Sequence, residues 1–266
     1  MSEATFQRLD ATADGLDTDA VHHFRTAIRR LRSLLSAFKP LLPPGKRKTL
    51  SRKLKRLSQH YAQLRDWDVL IAALTKGASA SDRKKFADVA EMANECRATA
   101  AARHLVLAED IRAVTEALAA ADWLDAPSPG ETESWNQPIG DFAADLFDRQ
   151  RRKMRKGARD LDLDDPASFH QFRIAAKKHR YAIEFLTPLY GKKKSKDYLA
   201  RVVAIQDVLG DMRDALTARS LVTKLRLPAA SRSLGERWLE RRGARCRKRF
   251  PVCDRAFRRK TPFWEH

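Results

Sequence analysis

Residues 22–41, HHFRTAIRRLRSLLSAFKPL, place apolar side chains three and four positions apart, which is the spacing of an amphipathic helix. The segment returns 148 positions later as residues 170–189, HQFRIAAKKHRYAIEFLTPL. Repetition at a fixed offset indicates an internal duplication. We therefore predict two similar halves, 1–130 and 131–266, each a bundle of helices.

A second element repeats at the same offset. Arg65-Asp66 returns as Arg213-Asp214, so the two copies align without a gap between these positions. We interpret both pairs as local ion pairs that fix the packing of neighbouring helices.

The rest of the chain also follows a helical pattern, and no strand-like alternation of any length occurs. Turn residues separate the helical segments, and Asp125–Glu131, rich in Pro and Gly, is the predicted linker between halves. The predicted fold is all-α, with two pseudo-symmetric antiparallel helical bundles. The predicted helices cover residues 20–39, 46–74, 81–124 (with a bend near 103–104), 139–160, 167–186, 192–225, 234–249 and 251–259.

The charge of the chain is strongly positive. The 266 residues include 53 Lys and Arg against 34 Asp and Glu, a net charge of +19. Residues 20–65 contain thirteen Lys and Arg and no acidic residue. Like charges at i,i+4 destabilise a helix by about 0.2–0.5 kcal/mol per pair, so a purely structural helix usually intersperses acids. The pattern favours a polyanionic partner, with a merely solubilising surface as the alternative.

Several classes of protein are disfavoured by composition. The three cysteines, Cys96, Cys246 and Cys253, form no CxxC or Cys/His cluster, which predicts neither a disulfide framework nor a metal site. No stretch is apolar enough for a signal peptide or a membrane span. We expect a cytoplasmic protein without membrane association, cofactor or bound metal.

A helical wheel separates the repeated segments into an apolar side and a basic side. The basic positions of each copy fall within about 80° of the wheel and extend about 15 Å along the helix axis. That length suits several phosphates in a row better than one small anion. The first basic stripe is His22, Arg25, Arg29 and Arg32, and the second basic stripe is His170, Arg173, Lys177 and Arg180.

Several further residues could either bind an anion or serve the packing of the helices. Lys53 and Arg201 correspond in the two copies and flank an apolar stripe, so they join the predicted anion site. For His22 and His170, the alternative to contacting a ligand is a buried structural role. His179 falls on the apolar side, which predicts a core histidine. Tyr181 is assigned equally to the edge of the core and to the basic side.

At these residues the chain resembles the CHAD family, the conserved histidine α-helical domains. The resemblance rests on the paired H-x-F-R-x-A-x-(R/K)-(R/K)-x-R segments, on LRDWDVL (64–70) and LGDMRDAL (209–216), and on Thr261–Trp264. It implies a pseudo-twofold pair of helical bundles with a basic groove or pore that binds inorganic polyphosphate, often on polyphosphate granules. The ExExK motif of the triphosphate-tunnel domain found fused to some members is missing, so we expect a stand-alone member.

Three classes of function compete at this point. A polyphosphate-binding module explains both the repeated stripes and the resemblance. The alternative is a nucleic-acid-binding protein using the same surface, although no known nucleic-acid motif and no interleaved aromatic residues accompany the stripes. A phosphohydrolase or phosphotransferase lacks a Walker A loop, a carboxylate pair for Mg²⁺ and a nucleophile–base pair. We predict a binding protein without catalytic residues and leave its oligomeric state open.

Overall fold

The computed structural model of the protein describes residues 18–75, 77–102, 108–120 and 135–265. Within these ranges the regular elements are helical and no strand occurs, which confirms the predicted all-α class. The α-helices are α1 (Thr18–Ala37), α2 (Pro44–His60), α3 (Ala62–Thr75), α4 (Ala80–Lys85), α5 (Ala87–Ala102), α6 (Ala108–Ala119), α7 (Ile139–Arg159), α8 (Pro166–Leu186), α9 (Lys192–Val222) and α10 (Ala229–Arg258). Short 3₁₀ turns at Lys39–Leu41 and Thr187–Leu189 follow α1 and α8.

The predicted helix over residues 46–74 is divided into α2 and α3 at Tyr61. At the end of α2 the Arg25 guanidinium donates a hydrogen bond to the carbonyl oxygen of Ser58. The last carbonyls of a helix need such partners, and a side chain inserted at the backbone ladder is a known cause of a break. A residue of the first basic stripe therefore sits where this helix ends.

The two helices predicted on either side of Phe250 form one helix, α10, with Pro251 inside it. Proline removes one backbone N–H and usually ends a helix. Here Cys246 and Phe250 before the proline, and Phe257 after it, are all buried. Burial on both sides holds the two segments against one core and outweighs the lost hydrogen bond.

The predicted start of α8 is confirmed. The Asp165 carboxylate accepts hydrogen bonds from the backbone N–H groups of Ala167 and Ser168 at 3.0 and 2.9 Å, as an N-cap does. The predicted helix over 81–124 corresponds to α4, α5 and α6. The predicted bend near residues 103–104, the linker Asp125–Glu131 and the N-terminal residues 1–17 lie outside the described residues.

The chain forms two compact units, each assembled from separate segments. Of the described residues, unit 1 takes those within 18–29, 52–119 and 211–245, and unit 2 takes those within 30–51, 135–210 and 246–265. Four helices, α1, α2, α9 and α10, give residues to both units. This division follows packing, whereas the halves 1–130 and 131–266 follow the sequence repeat, so the halves and the duplication stay predictions.

Unit 1 is built around an apolar cluster from α3, α5, α9 and α10. Phe86 and Trp238 pack edge to face in this cluster, with ring centroids 5.3 Å apart. Leu70 and Val222 are fully buried beside them. Asp68 is also buried, and Arg97 holds its carboxylate with an Nε–Oδ1 distance of 2.6 Å. The charge of this buried carboxylate is thus matched within the unit.

Unit 2 has an aromatic core around His179, which confirms its prediction as a core histidine. The His179 side chain is fully buried, and its Nε2 lies 2.9 Å from the Tyr198 hydroxyl oxygen. Phe257 and Trp264 pack against the same imidazole. The C-terminal Phe263 and Trp264 are therefore part of this core. Tyr181 is also buried, which favours its assignment to the core.

Two further findings concern the cysteines and the apolar character of the helices. Cys96, Cys246 and Cys253 are free cysteines. Among the helices that the structure describes, none has the length and apolar character needed to cross a membrane.

Candidate functional site

The first basic stripe begins on α1 in unit 1. His22 and Arg25 are half-buried, while Phe24 on the other side of the helix is fully buried. Burial, followed by the charges of Arg65 and Arg29, lowers the pKa of the His22 imidazole below its ordinary value. The imidazole is therefore neutral near pH 7, and an arriving anion would favour its protonation.

The arginines of this stripe are oriented by short-range contacts. Arg25 is held by the Ser58 carbonyl, and Arg29 Nη2 donates to the Thr26 hydroxyl at 3.2 Å. Burial and the charge of Arg29 lower the pKa of Arg25, but a guanidinium stays protonated at every physiological pH. Each guanidinium carries five N–H donors, so an arginine held in this way can still donate to a second group.

The repeated Arg-Asp pairs interact with each other inside unit 1. Burial raises the pKa of the Asp66 carboxyl, the charges of Arg213, Arg25 and Arg65 oppose that change, and Asp214 adds to it. The two pairs, separated by 148 positions in sequence, are thus near enough to influence each other. The prediction of local ion pairs does not include this electrostatic interaction between the two copies.

The second basic stripe lies on α8 in unit 2. His170 is exposed in the second turn of the helix, and Arg173 and Lys177 are half-buried. Arg180 is engaged with Glu184 one turn later, with an Nε–Oε1 distance of 2.6 Å. The stripe therefore ends in an ion pair rather than in a cation facing solvent alone.

The last turns of α1 also belong to unit 2 and meet α8 there. Arg30 Nη1 lies 3.7 Å from Glu184 Oε2, and its guanidinium carbon is 5.6 Å from the Phe185 ring centroid. Partial burial lowers the pKa of the Lys178 ammonium, and the charges of Lys153 and Arg32 lower it further. In unit 2, cations of α1 therefore lie near cations of α8, with Arg30 and Arg180 sharing Glu184 and Arg32 influencing Lys178.

The structure distributes the ten predicted site residues between the two units. His22, Arg25, Arg29 and Lys53 belong to unit 1. Arg32 and Arg201, both exposed, belong to unit 2 together with the second basic stripe. Arg32 is brought close to the α8 cations, whereas Lys53 and Arg201, although matched in sequence, belong to different units. The predicted role of each residue in binding stays a prediction.

The helical wheel does not identify three charged residues that interact with or near the stripes, namely Arg30, Lys178 and Glu184. Arg30 and Lys178 occupy matching positions, each about 80° around the helix from the stripe histidine. Both could have been predicted from the sequence, because a basic residue recurs at this position in the two copies. Glu184 corresponds to Ser36 in the first copy, so no repeat points to it. In the part of the chain that the structure describes, no His, Cys, Asp and Glu group is arranged to hold a metal ion.

Comparisons with known proteins agree with the helical fold. The family model of the CHAD domain matches residues 3–223. The crystal structure of the CHAD domain from the plant Ricinus communis is 25% identical, with a TM-score of 0.75, covering 97% of this chain and 88% of that chain. PptA from Streptomyces chartreusis is 18% identical, with a TM-score of 0.61 over 99% of this chain and 95% of that chain, and supports the fold alone. No curated protein matches the chain.

The family model covers most of the sequence, including both copies of the H-x-F-R segment and both Arg-Asp pairs. The Ricinus communis domain matches over nearly the whole length of both chains. The resemblance drawn from the repeated motifs is thereby confirmed, and the chain belongs to the CHAD family.

Proposed function

We propose that the protein binds inorganic polyphosphate through the first and second basic stripes. The proposal rests on four positions that recur at identical helical spacing in segments 148 residues apart. In both segments the first position is His, the second is Arg, the third is Arg or Lys, and the fourth is Arg. An amphipathic helix requires only its apolar side in order to pack. The repeated basic side is therefore explained by a ligand, and polyphosphate is the general ligand of the CHAD family.

The chemistry of the stripes suits a linear chain of phosphates. Each stripe offers charge-assisted donors along about 15 Å of helix. A hydrogen bond to a charged group contributes about 1.5–3 kcal/mol, so several weak contacts add up to a stable complex. Arginine side chains held by Ser58 and Thr26 lose little conformational freedom on binding.

The proposal describes a binding protein rather than an enzyme. Incubation with polyphosphate, followed by gel electrophoresis, should leave the chain-length distribution unchanged. Shortening of the chains by the purified protein would contradict this part of the proposal.

The family resemblance also implies a basic groove or pore and an association with cytoplasmic polyphosphate granules. Both remain predictions for this protein. A fluorescent fusion should concentrate on granules in cells that make polyphosphate and should become diffuse in cells that cannot. A diffuse signal in both would contradict the granule prediction.

The proposal is tested by removing four stripe cations together. The variant Arg25→Gln/Arg29→Gln/Arg173→Gln/Lys177→Gln should lose at least about 100-fold in affinity for long-chain polyphosphate, measured by calorimetry at fixed salt. Glutamine keeps a long polar side chain, so circular dichroism should show unchanged helicity.

A matched control separates the stripes from net charge. Lys84, Lys194, Lys196 and Arg226 are exposed and lie outside both stripes. Changing these four to Gln removes the same charge and should cost less than about tenfold. Equal losses in the two variants would mean that general charge, rather than the stripes, binds the polyanion.

A further inference from the structure

We propose that Glu184 sets the affinity and the chain-length preference of the basic region in unit 2. It does so as an internal counterion of Arg180 and Arg30, with which any anion bound at these two residues must compete. The inference rests on the proposed function, because it concerns one end of the same basic surface.

The geometry places one carboxylate between cations of the two copies. Glu184 Oε1 lies 2.6 Å from Arg180 Nε on α8, and Oε2 lies 3.7 Å from Arg30 Nη1 on α1. The Glu184 side chain is 17% exposed and that of Arg180 is 27% exposed, so water and salt screen this ion pair less than the contact with Arg30, which is 49% exposed. The carboxylate occupies Nε of Arg180 and offsets the charge of both guanidinium groups, so an incoming phosphate binds there more weakly although other N–H donors remain.

Glu184 lies between two guanidinium groups of like charge, Arg180 on α8 and Arg30 on α1. A carboxylate near such a group of like charges relieves their repulsion in the free protein. A bound phosphate chain supplies the same negative charge, so ligand and Glu184 compete for one role.

The first copy of the repeated segment shows that the helix itself does not need this acid. Ser36 occupies the matching position, and residues 20–65 contain no Asp or Glu at all. α1 nevertheless forms a 20-residue helix. An acid at this position therefore occurs in the second copy alone, and Glu184 contacts a predicted ligand-binding arginine, Arg180, and Arg30.

The competition has different consequences for short and long anions. A long chain can contact His170, Arg173 and Lys177 and leave Arg180 with Glu184. A short anion that binds at Arg180 and Arg30 must displace the carboxylate or bind against its charge, and it gains few other contacts. Glu184 therefore disfavours short phosphate anions more than long chains.

The test compares Glu184→Gln with the unchanged protein, using tripolyphosphate and long-chain polyphosphate as probes. We expect tripolyphosphate to bind about fivefold to twentyfold more tightly to the variant, and the long chain to gain less than about threefold. The slope of log affinity against log salt for tripolyphosphate should become steeper by about one, because an additional cation contacts phosphate. Glu184→Ser, which restores the residue of the first copy, should behave alike.

A control variant removes a carboxylate of the same unit elsewhere. Asp164 pairs with Arg247 at 2.7 Å and lies about 30 Å away along the α8 direction. Asp164→Asn changes net charge by the same amount and should leave tripolyphosphate affinity within about twofold of the unchanged protein. A gain shared by both variants would assign the effect to net charge and overturn the inference.

The remaining outcomes separate the inference from the proposed function. If the unchanged protein binds long chains but Glu184→Gln and Glu184→Ser bind tripolyphosphate no better, the inference is wrong and the proposed function stands. A lower melting temperature with unchanged affinity gives Glu184 a structural role alone and also overturns it. Failure of the unchanged protein to bind any polyphosphate overturns both.

Discussion

The two ends of the repeated basic pattern lie in different surroundings. In unit 1, His22 is half-buried, and the carboxyl of Asp66 interacts with Arg25 of the stripe as well as with Arg213 and Asp214 of the second copy. In unit 2, the equivalent histidine, His170, is exposed, and the last arginine of the stripe, Arg180, pairs with Glu184, which occurs in the second copy only.

The difference shows that equal positions on a helical wheel do not give equal chemistry. The wheel fixes which side chains share a side of a helix, whereas burial and neighbours from other helices fix their protonation and their availability. Unit 1 therefore offers a histidine whose protonation can respond to a ligand, and unit 2 offers arginines already held by an internal anion.

The largest expected contrast between the copies concerns His179, which stands where the first copy has Leu31. Burial, with a smaller effect of Arg151, lowers the pKa of its imidazole to about 3. In the unfolded chain the imidazole titrates near 6.5. Below about pH 6.5 only the unfolded state binds the proton, so stability is complete above that pH and falls as pH decreases toward about 3.

We expect the free energy of unfolding to fall by up to about 1.4 kcal/mol per pH unit in this window because of His179. Denaturant unfolding between about pH 7 and pH 5 measures the slope. His179→Gln keeps a polar side chain near the Tyr198 hydroxyl but does not titrate, so it should flatten the slope whatever its absolute stability. An unchanged slope would contradict the assignment.

The next largest effect distinguishes the stripes from each other. Arg25→Ala/Arg29→Ala in unit 1 and Arg173→Ala/Lys177→Ala in unit 2 should each weaken long-chain polyphosphate binding by about tenfold or more. Each pair should also reduce the salt slope by about one to two. A loss confined to one pair would show that only that stripe contacts the ligand.

The combined four-residue alanine variant tests whether the stripes act on one ligand. If both stripes engage the same bound chain, the two tenfold losses should add as free energies to about 100-fold in the combined variant. If each stripe binds a chain of its own, either pair variant keeps one intact site, so its stoichiometry should halve while the remaining affinity stays unchanged, which would contradict the predicted groove.

The smallest expected effect is the pH dependence of binding. Burial, Arg65 and Arg29 lower the pKa of His22 in the free protein, and a bound phosphate chain raises it again. Binding should therefore take up protons, and affinity should rise about threefold to tenfold as pH falls from about 8 to 6. Calorimetry in two buffers of different ionisation enthalpy measures the uptake. His22→Gln should abolish most of it, and retention of the full uptake in that variant would exclude His22.

Most of the fold could be predicted from the sequence because apolar spacing and capping residues are local. The start of α8 at Asp165 and its end near Leu186 follow from such signals. The break between α2 and α3 coincides with a hydrogen bond from Arg25, more than thirty positions away in sequence, and the helix α10 that contains Pro251 has buried residues on both sides of it. No local pattern carries either fact.

The candidate site shows the same limit. The stripes are readable because the basic positions recur at helical spacing, and His179 is readable because it falls on the apolar side. The ion pair of Arg30 with Glu184 and the electrostatic interaction of Asp66 with Arg213 each join residues far apart in sequence. Such contacts depend on how helices pack, which spacing along one helix does not determine.

The central claim, selective binding of phosphate chains, is tested most directly by competition at fixed salt and pH. Labelled long-chain polyphosphate is displaced from the full-length protein by unlabelled polyphosphate, DNA, RNA or ATP at equal phosphate concentration. We predict that polyphosphate competes at least about tenfold better than any of the others. Equal competition by DNA or RNA would contradict the claim and favour a nucleic-acid-binding protein.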